Sequence, residues 1–131
     1  MTKSQVKGFT LSELMIAAAI LALVLSALLI LYINCLFLNE ASRNLSIATS
    51  HAQYMLEEIK YTSFATIAPN YNGVCINDGS IESRGLSPLT AETICTTVTG
   101  TRVLNVSVVV SWEDKGMRNR GLTLATLITE P

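Results

Sequence analysis

Residues 9–38 read FTLSELMIAAAILALVLSALLILYINCLFL, and this apolar stretch sets the architecture of the chain. No formally charged side chain occurs from Leu14 to Leu38. Four polar side chains interrupt the run: Ser26, Tyr32, Asn34 and Cys35. Because the run exceeds the roughly 20 residues that a bilayer-spanning helix needs, we predict a transmembrane helix. The alternative is the core helix of a soluble protein, but the remaining residues are too few and too polar to cover it on all sides.

The composition describes one small domain joined to a membrane segment. Of the 131 residues, 50% are hydrophobic and 15% are charged, and the net charge is -1. The basic residues form no stripe along one face, which argues against nucleic acid as the main ligand. The one small cationic cluster, Lys115, Arg118 and Arg120, lies beside Glu113 and Asp114 in a turn-like segment, where solvation is the ordinary explanation.

Residues 1–8 have the character of a short cationic leader. Lys3 and Lys7 precede the apolar run, so the positive-inside rule keeps residues 1–8 in the cytoplasm and places the chain after Leu38 outside. A secretory signal peptide would have a shorter apolar region followed by an A-x-A-like cleavage site. Here the small residue, Gly8, comes before the run, and a cut after it would keep the helix in the mature protein.

Glu13 lies at the edge of the apolar run. An ionised carboxylate costs about 2.5 to 3.5 kcal/mol at the membrane centre, so this residue needs a cationic partner. A cut after Gly8 would create one, the α-amino group of Phe9. In a helix Phe9 and Glu13 stand at i and i+4, so the pair could form within one chain or between neighbours. The alternative is that Glu13 only reaches out to the lipid headgroups.

Residues 7–16, KGFTLSELMI, resemble the leader and cleavage motif of type IV pilins and pseudopilins. The resemblance implies that a membrane-embedded prepilin peptidase cleaves between Gly8 and Phe9 and methylates the new amino terminus at Phe9, which keeps its charge. It also implies that Glu13 neutralises the amino terminus of an adjacent subunit during assembly. The implied partners are other pilin or pseudopilin subunits, this peptidase and an inner-membrane assembly platform.

The chain departs from the family pattern in one respect. Many major pilins and pseudopilins carry a proline that breaks the membrane half of the helix, and here no proline precedes Pro69. We therefore expect a continuous helix, which argues against a major-subunit role that depends on local melting.

Beyond Leu38 the helical pattern continues over residues 39–66. Apolar residues recur at spacings of three, four and seven: Ala41, Leu45, Ala48, Ala52, Met55, Leu56 and Ile59. The pattern predicts one helix from about Thr10 to about Thr62, membrane-spanning over residues 9–38 and amphipathic over residues 39–66. His51 lies beside the stripe without a second ligand at i+3 or i+4, so we expect a solvated or partly packed side chain and no metal site.

We call residues 67–131 the head. Gly, Ser, Thr and Asn are frequent over residues 70–100, which predicts a loop. Cys75 and Cys95 lie in it, and outside the cytoplasm they can form a disulfide that contributes about 3 kcal/mol by closing a loop of about twenty residues. The alternative is two free thiols. Cys35, inside the membrane span, is expected to behave as a small apolar residue.

Two alternating segments complete the head. Every second residue is apolar from Val103 to Trp112, and the same period returns from Leu122 to Ile128, which predicts an antiparallel hairpin. One face of this hairpin can cover the apolar stripe of the helix. The expected fold is α+β, a long N-terminal helix packed on a small antiparallel sheet, and the pilin resemblance implies the same architecture.

The sequence contains no cluster of nucleophile, base and orienting group and no phosphate-binding loop, so we expect neither an enzyme nor a cofactor. The favoured function is a structural subunit, a minor pilin or pseudopilin of a type IV pilus-like filament or a type II secretion pseudopilus. It would cross the inner membrane once, with the head outside. One alternative is a tip adhesin or DNA-uptake pilin that binds through the Cys75–Cys95 loop or the Lys115–Arg120 turn. Another is a single-span membrane protein unrelated to filaments.

Overall fold

The computed structural model describes residues 9–130, so the leader and Gly8 lie outside the described part. It contains three helices and four strands, namely α1 (Leu11–Lys60), α2 (Phe64–Tyr71), β1 (Val74–Asn77), α3 (Asp78–Glu82), β2 (Thr93–Thr99), β3 (Val103–Asp114) and β4 (Arg118–Thr129). The strands form one antiparallel sheet in the order β1-β2-β3-β4. The predicted α+β fold, a long N-terminal helix and a small antiparallel sheet, is confirmed.

The chain divides into two compact units at Glu40 and Ala41. Helix α1 continues through this boundary because no glycine or proline interrupts its 50 residues. In the first unit its apolar side chains are exposed, Leu14 and Leu31 by 62% and 68%. No part of the described chain covers them.

In the second unit, α1 buries one face. The buried residues are Ala48, His51, Ala52, Met55, Leu56 and Ile59, at helical spacing. Five of these belong to the predicted apolar stripe, whereas Leu45 stays 47% exposed. Full burial of a side chain such as Ile59 contributes about 1.5 to 3 kcal/mol relative to exposure.

The hairpin of β3 and β4 supplies most of the opposing surface. On β3 the residues that point into the core are Leu104, Val106, Val108, Val110 and Trp112. On β4 their counterparts Leu122, Leu124 and Ile128 are half-buried against the same core. The predicted alternation is therefore correct. The strands are longer than expected, since Asp114 pairs with Arg118 and only residues 115–117 form the turn.

The predicted loop over residues 70–100 is wrong. This region contains β1, α3 and β2, and Cys75 and Cys95 lie opposite each other on paired strands. Strand β2 alternates as a half-buried strand does, with Ile94, Thr96 and Val98 buried. Threonine is polar in composition but β-branched in shape, and it therefore packs well on a pleated surface. Strand β2 was not predicted because four of its seven residues are threonine.

The predicted helical range 39–66 also needs correction. Helix α1 ends at Lys60, and a separate helix, α2, begins at Phe64. Pro69 lies inside α2, near its end. Proline there removes one backbone hydrogen bond from a short helix, a loss confined to the helix end.

Candidate functional site

The N-terminal turn of α1 is closed by Thr10 and Glu13. The carboxylate of Glu13 accepts hydrogen bonds from the backbone N–H of Thr10 at 3.4 Å and from its hydroxyl at 3.3 Å. The carbonyl oxygen of Thr10 in turn accepts the N–H groups of Glu13 and Leu14. This is the threonine-to-glutamate spacing of a capping box, in which the acidic side chain satisfies a backbone donor at the helix start.

Phe9 precedes the helix and is 75% exposed. The expected i and i+4 relation between Phe9 and Glu13 within a helix therefore does not occur in the uncleaved chain, because α1 begins at Leu11. Glu13 remains exposed at the outer surface of the first turn, where its carboxylate is accessible to another molecule. Capping holds this carboxylate at the end of the helix, next to the residue where the leader would be cut.

The segment after Glu13 has the length and composition of a membrane span. Helix α1 contains an 18-residue stretch with a mean hydropathy of 3.0, and no residue of this stretch is buried within the protein. The hydroxyl of Ser26 donates to the carbonyl oxygens of Ala22 and Leu23, both at 2.9 Å, so this polar group is satisfied within the helix. An uncovered apolar surface of this kind is stable against lipid or against other apolar helices.

A buried ionisable pair anchors the second unit. Nδ1 of His51 lies 2.7 Å from Oε1 of Glu92, and both residues are almost fully buried. The second oxygen of Glu92 accepts the backbone N–H of Leu89 at 2.7 Å. The expectation of a solvated or partly packed histidine is wrong, because a carboxylate 41 residues further along the chain covers it. No local sequence signal connects the two residues.

The disulfide joins the short edge strand β1 to its neighbour. Cys75 and Cys95 are directly opposed residues of β1 and β2, and their Cα atoms are 4.1 Å apart. The structure contains the Cys75–Cys95 disulfide and not the alternative of two free thiols. Cys35 is free and exposed on α1 in the first unit.

The basic turn is partly neutralised. Arg118 and Arg120 approach the same carboxylate oxygen of Asp114, at 3.2 Å and 3.8 Å. The same end of the hairpin also carries Lys115 and Glu113, so three cations stand against two carboxylates. Within residues 9–130, no group of three or more histidine, cysteine, aspartate or glutamate side chains lies close enough to hold a metal ion.

Comparison with known proteins concerns the N-terminal region. Residues 3–29 match the family model described as the prokaryotic N-terminal methylation motif. The match includes Gly8, Phe9 and Glu13 and extends into the apolar part of α1. No curated protein and no solved structure matches the chain. The family match therefore includes Thr10 and Glu13, the two residues whose side chains interact at the first turn of α1.

Proposed function

We propose that this chain, which carries the N-terminal signature of type IV pilin and pseudopilin precursors, is a minor subunit of a type IV pilus-like filament or a type II secretion pseudopilus. The motif implies processing by a prepilin peptidase and assembly with other subunits of the same kind. The observation that carries the proposal is the match over residues 3–29, at the start of an apolar helix whose surface the protein itself leaves uncovered.

Processing would change the chemistry of the first turn. Cleavage between Gly8 and Phe9 replaces an amide with an α-amino group, and methylation of that group retains its charge. The new cation would then lie next to an exposed carboxylate, that of Glu13, at the edge of an apolar segment. In a low-dielectric environment two opposite charges attract strongly, so we infer that Glu13 of one subunit pairs with the amino terminus of Phe9 in a neighbour.

A minor role is supported by the continuity of the helix. Helix α1 runs from Leu11 to Lys60 without proline, so no position in it is prepared for local melting. The proposed location is the inner membrane, crossed once by residues within 9–38 with the head outside, followed by transfer into the filament. Insertion of the apolar helix among those of other subunits would cover its exposed side chains.

The first test replaces Glu13. Glu13→Gln keeps an oxygen that accepts the Thr10 N–H but removes the charge, whereas Glu13→Ala removes both. We expect both variants to insert into the membrane and to begin at Phe9 after processing, yet to be lost from sheared filaments or pseudopili. Glu57→Ala, an exposed carboxylate on the same helix, is the matched control and should be incorporated normally.

The readouts are the mass of the N-terminal peptide and the amount of subunit in the filament fraction. Normal incorporation of Glu13→Gln would contradict the charge-pairing step, because that variant retains the helix cap. A parent protein that still begins at Met1 in cells with an active prepilin peptidase would reject the pilin assignment altogether.

A further inference from the structure

The β3–β4 turn lies at the end of the second unit where the chain enters that unit. Ala41 is the first residue of the unit. It lines a groove together with Asp114 and Arg120 at the end of the hairpin. Residues 115–117 form the turn directly after Asp114. The turn and the entry point of the chain are therefore neighbours.

This end of the second unit is close to the apolar run along the chain. Ala41 follows Leu38, the last residue of that run, by three residues. Three residues reach at most about 11 Å, even when the chain is fully extended. The headgroup layer of a bilayer is about 5 to 8 Å thick on each side of the hydrocarbon. The groove and the turn therefore lie within or next to this layer whenever the apolar run spans a bilayer.

The turn presents more positive than negative charge to its surroundings. Every residue from Lys115 to Arg120 is exposed, whereas Glu113 and Asp114 are partly buried. The side chains of Arg118 and Arg120 are 64% and 49% exposed, against 14% for Asp114. One carboxylate neutralises only one of these two guanidinium groups, so positive charge remains at the surface.

Charge is distributed unevenly between this end and the rest of the second unit. Residues 41–45 and 113–120 contain four cations and two carboxylates, whereas the other residues of the unit contain three cations and six carboxylates. The first group keeps a positive excess even when Glu40, the residue just before the unit, is counted with it. An anionic surface attracts the first group and repels the second, and it therefore favours an orientation with the turn toward that surface.

The tip of the turn carries an exposed apolar side chain. Met117 is 87% exposed, so most of its surface is outside the packing of its own chain. Its backbone φ is +52°, a left-handed conformation that glycine or asparagine adopts with less strain. Arginine and lysine stems lie along apolar surfaces while their charged ends reach polar groups. A methionine between such cations is suited to the boundary between acyl chains and headgroups.

We propose that the β3–β4 turn binds the headgroups of anionic phospholipids while the chain resides in the membrane. Arg118 and Arg120 contact the lipid phosphates, and Met117 lies at the level where the acyl chains begin. The contact holds the second unit against the bilayer surface. This inference goes beyond the proposed function, because it needs the apolar span but not the filament role.

An acidic surface on a partner protein is the main competing ligand. Such a surface would pair with the same arginines. It gives no reason for an exposed methionine between the cations, and it gives no reason for their position a few residues from the apolar run. Both features are expected of a turn that contacts lipid.

Fluorescence quenching in bilayers tests the contact. The full chain in a Cys35→Ala background carries a fluorophore at Asn119→Cys, an exposed position between the two arginines. It is reconstituted into nanodiscs of phosphatidylcholine, with or without phosphatidylglycerol, that contain the same amount of a lipid with a nitroxide on its headgroup. We expect stronger quenching with phosphatidylglycerol, and we expect salt to remove the difference because exposed charges are screened. A fluorophore at Thr101→Cys, exposed in the turn before β3, should show no difference.

Substitutions separate the charged and apolar contributions. Arg118→Gln/Arg120→Gln should abolish the difference between the two lipids, since each cation near an anionic surface strengthens binding about fivefold. Lys60→Gln/Arg102→Gln removes two exposed cations away from the turn and should keep the difference. Met117→Asn suits the left-handed turn and should weaken quenching in both lipids. Emission from the buried Trp112 reports whether each variant is folded.

The outcomes are distinguishable. Equal quenching in the two lipids, or loss of the lipid difference in Lys60→Gln/Arg102→Gln, would overturn the proposal. A lipid difference that persists in Arg118→Gln/Arg120→Gln, together with loss of that variant from filaments, would overturn it in favour of an acidic protein partner.

The N-terminal mass of the chain from cells separates this inference from the proposed function. A chain that still begins at Met1 but shows the lipid difference would reject the filament role and support the lipid contact. A chain that begins at Phe9 and enters filaments without any lipid difference would do the reverse.

Discussion

Replacing Glu92 with alanine tests whether the buried pair anchors the second unit. The substitution removes the acceptor for Nδ1 of His51 and for the backbone N–H of Leu89, each at 2.7 Å. A buried polar group left without a partner costs about 1 to 3 kcal/mol, and this substitution leaves the buried imidazole of His51 in that state. We therefore expect Glu92→Ala to lower the free energy of unfolding by about 1 to 3 kcal/mol. That is a large share of the roughly 5 to 15 kcal/mol typical of a whole protein.

The assay is urea unfolding of the full chain in detergent micelles, followed by tryptophan fluorescence. Trp112 is the only tryptophan and is 5% exposed in the core, so its emission reports the unfolding of this unit. Glu57→Ala is the control for removing an exposed carboxylate, with an expected change within about 0.5 kcal/mol.

A double-mutant cycle makes the test specific to the pair. Once Glu92 is gone, removing His51 as well should cost little more, because the histidine has already lost its partner. We therefore expect the loss in Glu92→Ala/His51→Ala to be smaller than the sum of the two single losses. Strict additivity, or a loss below about 0.5 kcal/mol for Glu92→Ala, would refute the view that the pair stabilises the fold.

Two further predictions concern the head. Cys75→Ser/Cys95→Ser should lower the free energy of unfolding by about 3 kcal/mol in the same urea assay, because the bond closes a loop with a sequence separation of 20. Reduction of the parent should produce the same shift, and reduction should leave the double variant unchanged. Equal stability of the unreduced parent and the double variant would contradict a stabilising role of the disulfide. Gly100→Ala should cost at least about 1 kcal/mol, since Gly100 has a φ of +109° and an added Cβ would lie 2.0 Å from the carbonyl oxygen of Val103. Gly79→Ala, where an added Cβ meets nothing within 4 Å, is its control, and equal stabilities of the two variants would show that the β2–β3 turn is not constrained.

The elements that sequence patterns predicted are those with long, regular periods. Helix α1 has an unbroken apolar run followed by a stripe at helical spacing, and on β3 every second residue from Leu104 to Trp112 is apolar. Strands β1 and β2 escaped prediction because they are short and because Thr96 occupies a core position where the pattern required an apolar residue. A strand is predicted from apolar residues at every second position, and threonine fits a strand by its β-branched shape without being apolar.

The candidate site divides in the same way. Gly8, Phe9 and Glu13 are contiguous enough to be recognised as a motif, and the family match covers all three. Their roles in cleavage, methylation and assembly stay predictions. The His51–Glu92 pair could not be found from sequence, because its partners are far apart in the chain and only the packing of residues 83–92 against α1 brings them together. Spacing rules apply within one element and fail between elements.

The Cys75–Cys95 bond also has a consequence for how this chain can diversify. The bond holds the two ends of residues 76–94 beside each other, and Glu92 attaches the C-terminal part of this segment to α1. Within this segment Ile81 is buried in the core and Arg84 pairs with Glu58 of α1, so the chain can change in length without disturbing the hairpin or the helix stripe only beyond these contacts. The exposed turn at Gly85, with its φ of +78°, is accordingly the place where an epitope or a new recognition sequence could be inserted while the rest of the fold is kept. We expect surface variation among related chains to concentrate there.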